Sequence, residues 1–145
     1  MLKSIPPALS QIAADRVESR SGADDWSPKQ ELGHLLDSAI MNHQRLLRVL
    51  AEETPTLPGY DGPFCVAAHD YNSRDWNELI ATWNTLNTHF LWAIERVSAE
   101  EWKRVCTSEG KSVTLEFLVA DYIEHALHHL RHIGVDIPRV SASVA

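Results

Sequence analysis

The run Ser27-Pro28-Lys29-Gln30-Glu31-Leu32-Gly33-His34-Leu35-Leu36-Asp37-Ser38 carries both the start signal and the first turns of an amphipathic helix. Ser27 stands where a capping hydroxyl belongs, Pro28 at the first helical position, and Gln30 at the third, where its side chain returns to the cap. Leu32, Leu36, Ala39, His43, Leu46 and Leu50 follow at alternating spacings of four and three. That period predicts a helix continuing to about Glu53, where Thr54-Pro55 ends it.

On the N-terminal side, Pro6-Pro7 opens a fainter helix over about Ala8 to Glu18, broken by Gly22 to Asp25. On the C-terminal side, a long loop is expected from Pro55 to Tyr71, punctuated by Pro58-Gly59 and Gly62-Pro63. A third helix is predicted from Asn72 or Ser73. Trp76, Leu79, Ile80, Trp83, Leu86, Phe90, Ile94 and Val97 form its stripe. Ser98 and Glu101 make a second capping box on a short turn carrying Trp102, and Ser108 to Lys111 reads as a loop around Gly110. A fourth long segment runs from Thr114 to Ile133, with Leu115, Leu118, Val119, Tyr122, Ala126, Leu130 and Ile133 inward and Gly134 as its stop. The tail from Arg139 to Ala145 is expected to fray. No segment alternates with period two for long enough to predict a strand. Four such helices imply an all-α helical bundle, one domain over residues 1–145.

Charge narrows the partners. A net charge of −7, with no local cluster of Lys and Arg, argues against a nucleic-acid backbone as a partner. No apolar run approaches the about 20 residues that cross a bilayer, and Met1 to Pro7 lacks the apolar core of a signal peptide. A soluble, cytoplasmic protein is expected, with Cys65 and Cys106 as free thiols.

Eight histidines are many for 145 residues, a compositional pointer to metal. Four fall in the last helix, in the run His125-Ala126-Leu127-His128-His129-Leu130-Arg131-His132. Residues four apart on a helix share a face, about 5–6 Å between Cβ atoms. His125 and His129 straddle the direction of Leu118 and Tyr122, so this pair points toward the interior and is read as metal-ligating. His128 sits farther round and His132 between the two sets, and both read as exposed polar residues near a helix C-terminus. On the second helix, spacing alone puts His34 on the surface rim and nominates His43, in the apolar stripe, as either a hydrogen-bonded core histidine or a ligand. His69, in the loop, and His89, off its stripe, read as solvated. Glu124 reads as a surface charge.

The segment from Trp26 to Ser38, a tryptophan-serine start followed by His34-Leu35-Leu36-Asp37, resembles the second-helix entry of DinB-like proteins. Val113-Thr114-Leu115, Tyr122 and the histidine run through Ile133 resemble that family's last helix. The resemblance implies a four-helix bundle of the DinB/YfiT-like kind, often a homodimer, with a three-histidine metal site. Its ligands map to His34, His125 and His129, displacing His43. His132 departs from the family pattern, standing where glutamine is common; this places it beside the ligands or in competition for the ion.

Three imidazoles leave an open position, as catalytic zinc sites do, and nitrogen ligation suits zinc or nickel. The resemblance implies transfer of a low-molecular-weight thiol to a small-molecule electrophile, or metal-dependent hydrolysis. The alternatives are a non-catalytic, metal-binding or stress-associated dimerisation module, and a purely structural bundle. Asp37 has two equal readings, a carboxylate orienting a ligand imidazole and a solvated acid. The loop with Tyr60, Phe64 and Cys65 is expected to roof the pocket.

Overall fold

The computed structural model describes residues 2–23 and 25–137. The expected frayed tail lies outside the described residues. Five α-helices are present: α1 (Ile5–Ser10), α2 (Pro28–Ala51), α3 (Gly62–His69), α4 (Trp76–Ile94) and α5 (Leu115–Ile133). α2 is the shared partner, packed against both α4 and α5; α1 lies on α4, and α3 on α2.

The predicted capping box of α2 is formed. Ser27 Oγ accepts from Gln30 N at 3.3 Å, and Gln30 Oε1 accepts from Ser27 N at 3.1 Å. The Ser98/Glu101 box is formed too, before a single 3-10 turn over Glu101–Lys103. α5 is capped by Thr114 and stopped by Gly134 in the left-handed region.

Four expectations need correction. The first helix is only six residues long and begins earlier, at Ile5. Leu9 and Ile5 bury its apolar side, but the chain beyond Gln11 turns so that Val17 can offer its carbonyl to Lys29 N at 3.0 Å. The third helix starts later, at Trp76, because the side chain of Asp75 caps it by accepting from Glu78 N; the chain before it forms a 3-10 turn, Tyr71–Ser73. The long loop is not structureless, since it holds α3, capped by Asp61, and a short strand, β1 (Thr56–Leu57).

The fourth correction is that strands do occur. β2 (Val105–Ser108) and β3 (Lys111–Thr114) form an antiparallel hairpin, with Val105 opposite Thr114 and Ser108 opposite Lys111. β1 adds to β2 in parallel, Thr56 opposite Thr107. The hairpin turn is Glu109-Gly110, both at positive φ (51° and 75°), the backbone that two-residue hairpins require.

The core has two parts. One gathers α1, the first half of α2, the start of α4 and the end of α5, around Leu9, Leu32, Leu35, Leu79, Trp83 and Leu130. The other gathers the second half of α2, the end of α4, the hairpin and the start of α5, around Leu46, Val49, Phe90, Cys106 and Tyr122. The change from one to the other falls between Leu36 and Ala39 on α2 and between Tyr122 and Ala126 on α5. Polar side chains occupy that junction. Among the described residues, no helix is long and apolar enough to cross a membrane.

Candidate metal centre

From Glu31 to Ser38 every residue of α2 is buried. Two turns of this helix have no wet side, so the polar residues among them must find partners inside the protein. His34 is 7% exposed, not on the surface as its place off the stripe predicted. Periodicity fails there because it presumes one solvated face, and α3, the Tyr71–Ser73 turn, α4 and α5 leave none.

His34 Nε2 and His129 Nε2 each lie 3.1 Å from His125 Nε2. The three possible ligand atoms all fall within 4.8 Å of one another. Nitrogens held about 2.0–2.1 Å from a single ion at tetrahedral angles are about 3.3 Å apart, so the observed spacing fits such an ion. One early helix and one late helix thus bring together the three residues that the resemblance singled out.

Two of the three rings have a polar neighbour on the far side. His129 Nδ1 pairs with Glu31 Oε2, a carboxylate that is itself buried. An Nδ1–H donated to Glu31 leaves the Nε2 lone pair of His129 directed at the other two rings. Ser38 Oγ lies 3.4 Å from His125 Nδ1. Trp26 covers His34 and His129, with ring centroids 4.9 and 6.2 Å away. Gly62 sits against the His34 ring, where an added Cβ would come within 2.9 Å of Cε1. Burial brings the His34 pKa down to about 4, helped by repulsion from His129 and His125. Burial and His129 lower that of His125 as well. Both rings are therefore neutral near pH 7, with lone pairs free.

The remaining candidates separate from this trio. His43 is not brought to it; its ring stacks on His89 at 5.1 Å and meets Phe90 edge-on at 5.0 Å. His89 and Glu124 are exposed, as expected. His128 and His132 are exposed and face each other, 4.2 Å between centroids. His132 Nδ1 reaches 3.6 Å from Glu31 Oε1, so it stands behind the carboxylate that holds His129; Glu31, His129 and His132 form a second group with ligand spacing.

Asp37 orients none of the three rings. Its Oδ1 accepts from Tyr71 Oη at 2.7 Å and lies 3.0 Å from His69 Nδ1, and burial raises its pKa. His69 is half exposed but engaged there rather than simply solvated. Asp37 thus pins the segment after α3 onto α2. The carboxylate that sequence reading missed is Glu31. Its signal was present, a Glu-x-x-His spacing that puts Glu31 and His34 on one helical face.

A cavity of about 210 Å³ adjoins the trio, lined by His125, Ser38, Asn42, Arg45, Tyr60 and Tyr122 among others. Of the expected roof, Tyr60 is in place, 6.3 Å from the His34 ring, while Phe64 is 68% exposed and points outward. Cys65 is partly exposed, and both cysteines are free.

The family model of the DinB superfamily matches residues 3–133. YfiT of Bacillus subtilis, by its name a candidate metal-dependent hydrolase, is 26% identical over 141 residues, which span 92% of this chain and 78% of its own. A similarly named protein of Oceanobacillus iheyensis is 28% identical over 137 residues, 91% of this chain and 79% of that one. The solved structure of YfiT, reported as an unusual four-helix bundle topology, superposes with a TM-score of 0.81 at 24% identity, covering 92% of this chain and 79% of that one. A mycothiol-dependent maleylpyruvate isomerase superposes with a TM-score of 0.75 at 17% identity, covering 96% of this chain and 60% of that one. The family match takes in every helix described above, and the chain, an all-α bundle with the fold of YfiT, belongs to the DinB superfamily.

Proposed function

We propose that this protein is a metal-dependent enzyme whose centre is His34, His125 and His129, and that it activates a low-molecular-weight thiol against a small electrophilic substrate. The observation that carries the reading is the convergence of three Nε2 atoms, one of them held by a buried carboxylate on its far side. Zinc or nickel suits the three nitrogens. When bound, such an ion supplies a Lewis acid with a free coordination position, the means of acidifying a thiol or a water near neutral pH.

The chain's own residues do the rest. Glu31 keeps the His129 lone pair on the inner side, and Trp26 and Gly62 hold the His34 ring in one orientation. Tyr60, its pKa raised chiefly by burial, stays a hydroxyl over the cleft. Among the described residues no fourth histidine, cysteine or carboxylate joins the trio, which argues against a closed structural site and a non-catalytic role. Three neutral ligands leave the ion's charge uncompensated and favour an anionic fourth partner, as a thiolate is. The mycothiol dependence of the isomerase that shares this fold supports thiol chemistry. Hydrolysis is the second reading, supported by the names of the relatives.

Elemental analysis of tag-free protein is expected to find a stoichiometric divalent ion that His125→Ala loses. Loaded protein is then given an aryl halide with and without low-molecular-weight thiols, and an activated ester without thiol. Turnover that needs the thiol supports transfer; turnover of the ester alone supports hydrolysis. An ion retained in full by His125→Ala would sink the centre itself.

A further inference from the structure

The cleft beside His125 has a chemical character of its own. On α2, His34, Ser38, Asn42 and Arg45 follow at spacings of four, four and three, a single face running away from the trio. Asp121 and Tyr122 of α5, Gly59 and Tyr60, and Glu109 of the hairpin turn complete the walls. A volume of about 210 Å³ is that of about seven waters, enough for a small organic molecule and too little for a nucleotide.

Arg45 is not among the cations that the fold pairs with carboxylates. Arg48 pairs with Glu52, Arg74 with Glu78, Lys29 with Glu18 and Lys103 with Glu100. Arg45 has no ion-pair partner among the described residues. Its Nη2 donates to Pro58 O at 3.2 Å, which fixes the guanidinium in the wall, while its Nε is buried with no hydrogen-bond partner. An arginine that lines a cavity and has no carboxylate partner is open to an anionic ligand there.

We infer that Arg45 forms a carboxylate-recognition subsite, so that the substrate or thiol handled by this protein is a small monocarboxylate with its reactive end at the three histidines. A guanidinium fork matches a carboxylate in charge and geometry. Glu109 and Asp121, both exposed at the mouth, do not pair with Arg45, and their charges turn away phosphate esters and other polyanions. From Ser38, next to the centre, to Arg45 the helix rises about 10 Å, and the arginine side chain shortens the span. A short chain between the carboxylate and the reactive group bridges it. The inference rests on the proposed metal centre for its reactive end, but not for Arg45 itself.

The test uses straight-chain ω-mercaptocarboxylates of graded length and their primary amides, against cobalt-loaded full-length protein. Thiolate-to-cobalt absorption reads binding at the centre. The acids are expected to bind at least about tenfold more tightly than the amides, as befits a charge-assisted hydrogen bond. In Arg45→Gln that preference disappears, while cobalt uptake and amide affinity are retained. In metal-free wild type, the same acids are expected to move the Arg45 Nε–H resonance and the amides to leave it in place. No preference in wild type, or one that persists in Arg45→Gln, overturns the subsite. A wild type that takes up no cobalt while its Arg45 resonance still answers the acids overturns the metal reading and upholds the subsite.

Discussion

At His34 burial and ligation ask for the same protonation state. The ring is neutral because it is dry, and a dry neutral imidazole is what an ion needs. In metal-free protein this has a pH signature. The folded pKa of about 4 lies below the ordinary 6.5, so as pH falls the unfolded chain takes up the proton first. Stability is therefore present above pH 6.5 and is lost toward pH 4, by up to about 3 kcal/mol from this residue. Urea unfolding of chelator-treated protein across that range checks it, with His34→Gln expected to flatten the slope; an equal slope in the variant would refute the assignment. Glu31→Gln is expected to weaken metal affinity about 10- to 100-fold while leaving the fold in place, read by competition with a chelator. His125 and His129 were legible as a pair because helical spacing alone sets their faces together. The burial of His34 was not, because it depends on what covers α2 and not on α2 itself. The Glu-x-x-His spacing marked Glu31 as a neighbour of His34 but could not rank it above Asp37, for the same reason. Both lie on α2 near His34, and only α5 on one side and Tyr71 on the other decide which meets a ligand.

At the level of elements, α2 is where signal and outcome agree best, since a cap, a proline and a stripe all act within a few residues. Ser27 does more than cap. Its hydroxyl also donates to Asn72 Oδ1 at 2.6 Å, joining the start of α2 to the turn before α4. Ser27→Ala is expected to cost about 1–2 kcal/mol in chemical denaturation, toward the upper end of what a lost cap costs. Gly33 has a stricter requirement. An added Cβ would fall 2.1 Å from the Tyr71 ring, so Gly33→Ala must expel that ring and break its bond to Asp37. A loss of about 3 kcal/mol is expected, and a Tm unchanged from wild type would show that Tyr71 packs elsewhere. The small sheet was illegible because its strands are two and four residues long. They hold together through register with each other and a turn at positive φ, and periodicity needs longer segments than that. The length of α1 was misjudged because Pro6-Pro7 marks a beginning, while its end is set by the later contact of Val17 with Lys29.

At the level of the whole molecule, α2 and α5 meet twice, through their apolar sides and through the three rings. An ion shared by His34, His125 and His129 would tie the two helices together in the folded state alone. Metal at about a hundredfold excess over its Kd is expected to add about 2.7 kcal/mol of stability, seen as a rise of several degrees in Tm. The rise should vanish with chelator and in His125→Ala; an equal rise in that variant would place the ion elsewhere. That the fold is a helical bundle was readable throughout, because the long stripes of α2, α4 and α5 each need a partner.

One spacing reaches beyond the finished molecule. His34 and His125 are 91 positions apart along the chain. During synthesis the first ring leaves the ribosome well ahead of the other two, and the trio cannot assemble until residue 129 has emerged. A metal ion held by all three rings would be bound only after translation has passed that point, and a nascent product stalled before it would lack the complete ligand set.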